Sequence, residues 1–291
     1  MNVMKQQIND LEVNYEVIGS GMPVLIIHGY YQSIESMKPS FEAVFENVDG
    51  YKRIYIDLPG MGKTKSSESI KNSEDMLNVL IQFIDAVIPE EEILIVGESY
   101  GGYLARGLVN KIQNRVSALL LVCPVIITNK ANRNLPKHEV LIKDPELLKE
   151  LSDKDAKNFN NAVVLQSSKV YKRYNNEIAN PMKLADKDFL ENIRKNGYGF
   201  SFDPDNLESD FDKPALFLLG INDSVVGYED IDQILGKYPL ANTVYLYNAG
   251  HNLKIEQEEK FNNYVKEWLC KLRDIDSATI EGQQTRGAVK S

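Results

Sequence analysis

Short runs of consecutive apolar residues alternate along this chain with longer segments in which apolar residues recur every three or four positions. Runs of the first kind, rich in valine, leucine and isoleucine, predict strands that are covered on both faces of a sheet. Segments of the second kind predict amphipathic helices. The predicted strands are residues 24–27, 53–56, 93–96, 116–122, 215–219 and 243–247, and the predicted helices among them are residues 34–47, 72–88, 100–112, 228–237 and 258–272.

Two regions depart from this alternation. Near the start, apolar and polar residues alternate singly, which predicts a β-hairpin over residues 5–18 with its turn at Asn9 and Asp10. Between residues 128 and 210 the chain is charged and polar and shows no pattern of a buried strand. The helical stretches predicted in this second region are residues 145–151, 156–166, 170–177 and 186–195.

These patterns together predict an α/β fold: a mostly parallel central sheet with helices on both faces and an inserted helical cap. We expect the core to comprise residues 1–127 and 211–276, and the cap to comprise residues 128–210. Residues 277–291 are polar and without periodicity, which predicts a flexible tail. An insertion at the carboxyl ends of parallel strands lies over the place where such sheets bind ligands, so a small-molecule partner is expected.

Composition and charge exclude several classes of function. The chain has 33 basic and 42 acidic residues, a net charge of −9, which disfavours binding to nucleic acid or to an anionic membrane surface. Its longest apolar runs are too short to span a bilayer, and its first residues lack the apolar segment of a signal peptide. We therefore expect a cytoplasmic, soluble protein with no nucleic-acid or membrane partner, and its oligomeric state stays open.

Cysteines and histidines are too few and too scattered to predict a metal site. Cys123 lies in an apolar strand pattern and Cys270 on a late helix, so both are expected to be buried thiols that form no disulfide. The three histidines show no zinc-like ligand spacing, and no metal is expected. Residues 62–64 resemble the end of a phosphate-binding loop, but Asp57 stands where its first glycine is required, so no nucleotide site is expected.

The most informative stretch joins the predicted strand 93–96 to its helix. It contains the pattern Gly-x-Ser-x-Gly as Gly97-Glu98-Ser99-Tyr100-Gly101. In so tight a turn, small residues on either side of the serine allow the backbones of the strand and the helix to approach closely. The serine side chain is then exposed in front of the helix N-terminus. A glycine-flanked turn with an incidental serine is the alternative, but the strand before and the helix after it favour a nucleophile, Ser99.

A serine hydroxyl needs a base within hydrogen-bond distance and an acid that orients the base. His251 follows the strand 243–247, at the same edge of the sheet as Ser99, and is the predicted base. His138 lies in the polar insertion, which predicts a solvated surface residue. His28 ends a strand, and we expect it to brace the adjacent loop.

Two aspartates at strand ends are candidates for the acid. Asp223 follows the strand 215–219, and the order Ser99, Asp223, His251 is the order used by sites built on this kind of turn. Asp57 also ends a strand, but it precedes the serine and is expected to fix its own Pro-Gly turn. We therefore predict that Asp223 is the acid.

Acyl chemistry also requires hydrogen-bond donors for a developing oxyanion. The amide of Tyr100 directly follows the nucleophile at the start of the helix, and the amide of Tyr30 lies on the loop after the strand 24–27. These two backbone groups are the predicted oxyanion hole.

In their order along the chain, these landmarks resemble those of the α/β-hydrolase superfamily. The landmarks are His28-Gly29, residues 57–62, residues 97–102, Gly220 with Asp223, and Gly250-His251, and the resemblance extends over about residues 10–275. The insertion resembles the cap of the branch that holds carbon–carbon bond hydrolases, proline iminopeptidases and many bacterial hydrolases. The resemblance implies a hydrolase that works through an acyl-enzyme or tetrahedral intermediate and needs no cofactor.

Two differences narrow the choice within the superfamily. Ser99 stands where haloalkane dehalogenases and epoxide hydrolases have an aspartate, which argues against those reactions. The loop at residues 30–32 is Tyr-Tyr-Gln and not the Gly-Pro-Gly of proline iminopeptidases, which argues against a peptidase. Glu177 is a candidate anchor for a substrate amine, as in those peptidases, although most charges on a helical cap form a solvated face.

The predicted function is a serine hydrolase, most similar to a carboxylesterase, that cleaves an ester, an amide or a carbon–carbon bond in a small carbonyl substrate. Four aromatic residues of the insertion are expected to shape an apolar pocket or to pack the cap against the core: Tyr171, Tyr198, Phe200 and Phe202. A non-catalytic ligand-binding protein on the same scaffold, or an acyltransferase, is the alternative.

Overall fold

The structure is a computed structural model that describes the backbone of residues 3–287 and the side chains of residues 4–273. Within this range, one sheet contains all of the strands. The strands are β1 (Val3–Ile8), β2 (Leu11–Ile18), β3 (Met22–Ile27), β4 (Tyr51–Ile56), β5 (Ile93–Glu98), β6 (Val116–Val122), β7 (Ala215–Gly220) and β8 (Ala241–Leu246).

The α-helices of the described chain alternate with the strands from β3 to β6 and follow one another in the insertion, as predicted. They are α1 (Ile34–Phe45), α2 (Ser73–Val87), α3 (Tyr100–Ile112), α4 (Pro145–Glu150), α5 (Asp153–Ala162), α6 (Ser168–Tyr174), α7 (Lys187–Asn196), α8 (Leu253–Glu256) and α9 (Glu258–Gly287). Ser33 and Asn72 cap the first two, each accepting a hydrogen bond from a helix amide. None of these helices combines the length and the apolar character that crossing a bilayer requires.

The strand order across the sheet is β1-β2-β4-β3-β5-β6-β7-β8. The pairs β1–β2 and β2–β4 are antiparallel, and every other neighbouring pair is parallel. Helix α1 packs with α9, and α2 packs with α3. The predicted fold class is therefore confirmed, and β5, which leads to Ser99, lies inside the sheet between β3 and β6.

Helices α4 to α7 form the inserted helical region between β6 and β7. Phe159 of α5 and Tyr174 of α6 belong to a small apolar cluster of the insertion, which Ile255 of α8 joins from the core. An isolated bridge between Ile142 and Leu165 is the only β-pairing within the described insertion. The polar composition explains this, because few apolar residues are available to cover a strand on both faces.

A buried arginine on α3, Arg106, holds both ends of the insertion. Its Nη1 donates to the carbonyl oxygen of Val125 (2.8 Å), just after β6. Its Nε donates to Asp205 Oδ1 (3.0 Å), shortly before β7, and its Nη2 pairs with the other oxygen of Asp205. Removal of one partner of a buried ion pair costs about 3–5 kcal/mol, so the contact between Arg106 and Asp205 is a strong one. Arg106 therefore ties both segments to α3, the helix that follows Ser99.

One local prediction is wrong. Residues 228–237 form two short 3-10 segments, Glu229–Gln233 and Leu235–Lys237, because Gly236 and the nearby Pro239 disfavour a longer helix. Helix α9 continues to Gly287, so residues 277–287 of the predicted tail have a helical backbone. The chain has no proline after Pro239, and extending an established helix costs little. The last part of that predicted tail, residues 288–291, lies outside the described residues.

Candidate active site

Ser99 lies on the tight turn between β5 and α3. Its backbone angles, φ 54° and ψ −114°, fall in a region that residues other than glycine rarely adopt. A side-chain carbon on Gly97 would collide with the carbonyl oxygen of Gly101, and one on Gly101 would collide with that of Ile27. Glycine at both positions therefore permits the close backbone approach that holds Ser99 in this strained conformation.

The structure brings Ser99, Asp223 and His251 together from three separate loops. The Nε2 atom of His251 is 3.1 Å from the Oγ of Ser99, and its Nδ1 atom is 2.7 Å from Asp223 Oδ2. The three residues follow β5, β7 and β8, whose parallel course delivers their carboxyl ends to one edge of the sheet. The order of hydrogen-bond partners is the one that the sequence predicts.

Asp223 is fully buried, and its Oδ1 accepts hydrogen bonds from the amides of Val225 (2.8 Å) and Val226 (3.0 Å). These bonds fix the carboxylate in its orientation towards His251. The Nδ1–H of His251 donates to Asp223, which leaves Nε2 as the acceptor for the Ser99 proton. Burial lowers the pKa of His251, but the adjacent Asp223 carboxylate more than compensates, so this pKa lies above its ordinary value.

The amides of Tyr30 and Tyr100, the predicted oxyanion donors, lie on the two segments next to Ser99. Tyr100 is the first residue of α3, where helix amides have no intrahelical partner. Tyr30 follows Gly29, and a side-chain carbon added to Gly29 would lie 3.3 Å from the Cβ of Ser99. Among the described residues neither amide has a hydrogen-bond acceptor, so both N–H groups are available to a substrate oxygen.

His28 and Asp57 hold neighbouring loops instead of reaching Ser99. His28 Nε2 accepts from the amide of Leu58 (3.1 Å), and its Nδ1 donates to the carbonyl of Gly29 (2.8 Å), which is the bracing role expected of it. Asp57 does more than fix its own turn. Its carboxylate accepts hydrogen bonds from one side-chain amide and two backbone amides, which belong to Asn14, Ile34 and Lys63.

His138 and Glu177 are not the solvated residues that the sequence predicts. His138 is half-buried, and its Nε2 donates to the carbonyl of Asn160 (2.7 Å). Glu177 is buried and accepts two hydrogen bonds from Arg173, at 2.6 and 2.8 Å, because the two side chains are four residues apart along the insertion. Since Glu177 is paired and does not line the cavity described below, it does not fit the role of a substrate-amine anchor.

The two cysteines differ from each other. Cys270 is exposed, contrary to the prediction, because it lies on the outer face of α9, whereas Cys123 is buried. The Cys123 sulfur, Asp223 and His251 form a cluster whose polar atoms lie within 4.8 Å of one another, a proximity that sequence spacing does not reveal. Burial raises the pKa of the Cys123 thiol well above its ordinary value, which disfavours the thiolate that a metal ion would require. Asp223 and His251 are already hydrogen-bonded to each other, so this set of residues does not fit a metal ion.

A cavity of about 770 Å³ opens at Ser99 and His251, between the core and the insertion. Its wall includes Tyr30 and Tyr31 from the core, and Tyr198 is the one predicted cap aromatic that lines it. The other three pack elsewhere: Tyr171 lies against Phe159, and Phe200 and Phe202 stack in a row that begins at Tyr103. Phe200 and Phe202 therefore pack the insertion against the core, whereas Tyr171 packs within the insertion.

Positive charge dominates the lining of this cavity. Glu98 is the one carboxylate in the described lining, and the cationic residues are Lys130, Arg133, Arg194 and Lys195. Arg133 is half-buried, and it donates to three carbonyl oxygens, those of Ile127 (2.7 Å), Val225 (2.9 Å) and Thr128 (3.2 Å). Within the described residues no carboxylate pairs with Arg133, so its charge is available to a ligand.

Three charged residues near Ser99 and His251 are absent from the sequence-based predictions. Lys254 and Glu98 form a buried ion pair, and the carboxylate of Glu256 accepts hydrogen bonds from two buried amides. Their closeness in sequence to the predicted nucleophile and base could have identified them. Glu98 directly precedes Ser99, and Lys254 and Glu256 follow His251 by three and five residues. Sequence reasoning treats such charges as solvated, because their partners lie far away along the chain.

A mostly parallel sheet, with a serine on a strained strand–helix turn and a histidine and an aspartate that reach it from later strands, is the architecture of an α/β-fold hydrolase. The chain belongs to the alpha/beta hydrolase fold family, whose sequence pattern matches residues 22–258. This match confirms the resemblance seen in the ordered landmarks of the sequence.

Several relatives of the chain are distant in sequence but match nearly all of it. A 2-hydroxy-6-oxo-6-(2'-aminophenyl)hexa-2,4-dienoic acid hydrolase from Metapseudomonas resinovorans is 25% identical over 280 residues, which are 92% of this chain and 91% of the relative. A 2-hydroxy-6-oxononadienedioate/2-hydroxy-6-oxononatrienedioate hydrolase from Paraburkholderia phymatum is 25% identical over 89% of this chain and 91% of its own length. Among solved structures, an alpha/beta superfamily hydrolase from Oenococcus oeni PSU-1 has a TM-score of 0.82 and 29% identity, over 90% of this chain and 96% of that one.

Proposed function

We propose that this protein is a serine hydrolase that cleaves an ester or a carbon–carbon bond next to a carbonyl group in a small acidic substrate. In this proposal Ser99 is the nucleophile, His251 is the general acid and base, and Asp223 orients the imidazole. The amides of Tyr30 and Tyr100 form the oxyanion hole. The observation that supports the proposal most directly is the pair of distances, 3.1 and 2.7 Å, that links Ser99 through His251 to Asp223.

In the first half of the reaction, the Ser99 oxygen attacks the carbonyl carbon while His251 Nε2 takes the serine proton. The two amides stabilise the negative charge on the carbonyl oxygen, and one such donor is worth about 10²–10³ in rate. Protonated His251 then gives its proton to the leaving group, an alkoxide from an ester or a carbanion from a carbon–carbon bond. In the second half, His251 deprotonates a water that attacks the acyl carbon, Ser99 regains its proton, and the carboxylic acid leaves.

A fluorophosphonate probe tests the nucleophile directly, because it reacts with activated serines. We expect time-dependent labelling of the wild type, with the modified peptide containing Ser99 when it is mapped by mass spectrometry. Labelling elsewhere, or none, would contradict the proposal. A panel that pairs nitrophenyl esters with oxo-dienoic acids then distinguishes ester cleavage from carbon–carbon cleavage by comparison of kcat/KM.

Two observations support an acidic substrate. The two relatives described above hydrolyse a hydroxy-oxo dienoic acid and hydroxy-oxo di- or trienedioates. The cavity of this chain carries four cationic side chains, of which Arg194 pairs with Glu191 (3.5 Å), against one carboxylate, and that carboxylate, Glu98, is already paired with Lys254. Arg133 is the best placed of the four, because it is half-buried, is held by three carbonyl oxygens and retains guanidinium N–H groups that can bind a carboxylate.

Replacing Arg133 by glutamine is expected to weaken the preference for an acidic substrate. The loss of one charged hydrogen bond costs about 1.5–3 kcal/mol, so kcat/KM for nitrophenyl hemisuccinate should fall about 10- to 100-fold. The loss should appear mainly in KM, because the charge contacts a part of the substrate that does not react.

Nitrophenyl butyrate is the matched neutral substrate for the same variant. The Arg133→Gln variant should hydrolyse it nearly as well as the wild type does, since the reacting groups are unchanged. Equal losses on the two esters would show that Arg133 supports the fold of the cavity and does not recognise the carboxylate.

A further inference from the structure

Glu256, at the end of α8, connects the loop that carries His251 to the insertion. Its Oε2 accepts a hydrogen bond from the amide of Gly250 (2.6 Å), the residue before His251. Its Oε1 accepts one from the amide of Val164 (2.7 Å), just after α5. The residue is only 8% exposed. One buried carboxylate therefore holds two backbone segments that come from different parts of the fold.

A second hydrogen bond joins the same two segments on the other side of His251. The side-chain amide of Asn252 donates to the carbonyl of Ala162 (2.8 Å), and both residues line the cavity. The backbone is thus fixed immediately before and immediately after the histidine. This matters because the rate of a proton transfer depends steeply on the position of the ring, and a misplacement of about 1 Å can cost about 100-fold.

The two hydrogen bonds of Glu256 require an ionised carboxylate. An ionised carboxylate offers an acceptor on each oxygen, whereas a protonated one presents a hydroxyl donor on one of them. At Glu256 that hydroxyl would face an amide N–H, so one of the two contacts would be lost. A glutamine at this position has the same defect, because its NH2 group would face an N–H donor.

Several titratable groups act on Glu256. Burial raises the pKa of Glu256 to about 7 against the effect of its two amide hydrogen bonds, while Asp223 adds to the rise and His251 opposes it. The segment 162–164 contributes only alanine and valine. The other charged or titratable groups on the surrounding elements are Lys254 and its partner Glu98, Arg173, which donates to the carbonyl of residue 254, and His138 beside the end of α5.

We propose that Glu256 is a positioning residue: its carboxylate fixes the His251 loop against the insertion and so keeps the imidazole in line with Ser99. This inference rests on the proposed function, since it concerns the geometry of the same reaction. It implies that two protonations reduce activity at low pH, one on His251 and one on Glu256. A role in stability alone implies only the first.

The pH dependence of ester hydrolysis by the wild type and by Glu256→Gln tests this inference. For the wild type, log(kcat/KM) should fall with a slope near 2 over about one to two pH units below about pH 6, because two groups take up protons. At still lower pH the slope should return to about 1, since protonation of Glu256 lowers the rate by about 10- to 100-fold and does not abolish it. For Glu256→Gln the slope should be near 1, and kcat at the plateau should be about 10- to 100-fold lower with little change in KM. Glu259→Gln, at an exposed glutamate on α9, is the matched control and should behave as the wild type does.

The possible outcomes separate this inference from the proposed function. If the wild type is labelled at Ser99 but its slope is 1, or if Glu256→Gln keeps the wild-type kcat and slope, Glu256 has no positioning role and the proposed function stands. A lower melting temperature without a change in slope would also overturn the inference. If Glu256→Gln does not fold, the slope of the wild type decides alone. If the wild type is not labelled, both proposals fail together.

Discussion

Replacing Ser99 by alanine is expected to abolish fluorophosphonate labelling and to lower kcat/KM by about 10⁵- to 10⁶-fold. The variant loses the atom that forms the covalent bond but keeps the amides of Tyr30 and Tyr100 and the walls of the cavity. Substrate binding should therefore persist while turnover disappears, and a residual rate above that of water is expected from the oxyanion donors alone. Initial rates of nitrophenyl ester hydrolysis, measured beside gel-based labelling, give both quantities.

The matched control is Ser168→Ala, at an exposed serine in the first turn of α6. Its turnover and labelling should equal those of the wild type. If the wild type and Ser99→Ala show the same turnover but bind a ligand tightly, the chain is a ligand-binding protein on this scaffold and the proposed function is wrong. Appearance of a new ester when an alcohol is added would instead identify an acyltransferase.

The Asp223→Asn variant is expected to lower kcat by about 10⁴-fold while the fold is retained. The amides of Val225 and Val226 both donate to Oδ1 of Asp223, so the oxygen of the asparagine must take that position. Its NH2 group then faces Nδ1 of His251 as a donor. The imidazole proton moves to Nε2, where the ring no longer accepts a proton from Ser99.

The same substitution should shift the acid limb of the pH–rate profile. The reaction needs neutral His251, and the Asp223 carboxylate raises the pKa of His251, so wild-type activity is lost as the pH falls through a value above 6.5. Without that carboxylate, the effect of burial dominates and lowers this pKa, so the part of the limb that belongs to His251 should move to lower pH. Asp212→Asn, at an exposed aspartate, is the control, and an unmoved limb in Asp223→Asn would contradict the assignment of the acid.

Most of the fold could be predicted because its strands are short apolar runs covered on both faces. The strand β7, Ala-Leu-Phe-Leu-Leu-Gly, is buried at every position, as is the apolar stretch of β5. The prediction fails at residues 228–237, where the apolar spacing suits an α-helix but the backbone adopts 3-10 turns. Spacing alone does not reveal how a segment is constrained by the strands on either side of it.

The candidate site could be predicted only as far as each residue has a local signal. Ser99 has its glycines, and Asp223 and His251 each follow an apolar strand, so the sheet topology is enough to bring them to one edge. Glu256 and Arg133 have no such signal. Their roles depend on partners distant in sequence, as the hydrogen bond between Glu256 and Val164 shows, whose ends are 92 positions apart.

Arg106 has a consequence for how new specificities can arise on this scaffold. Val125 lies just after β6 and Asp205 lies ten residues before β7, and the guanidinium of Arg106 hydrogen-bonds to both from within the core. Whatever lies between these two fixed points can grow, shrink or be exchanged while the supports stay in place. Substrate range can therefore diversify by replacement of the insertion on an unchanged core, with Ser99 and α3 undisturbed.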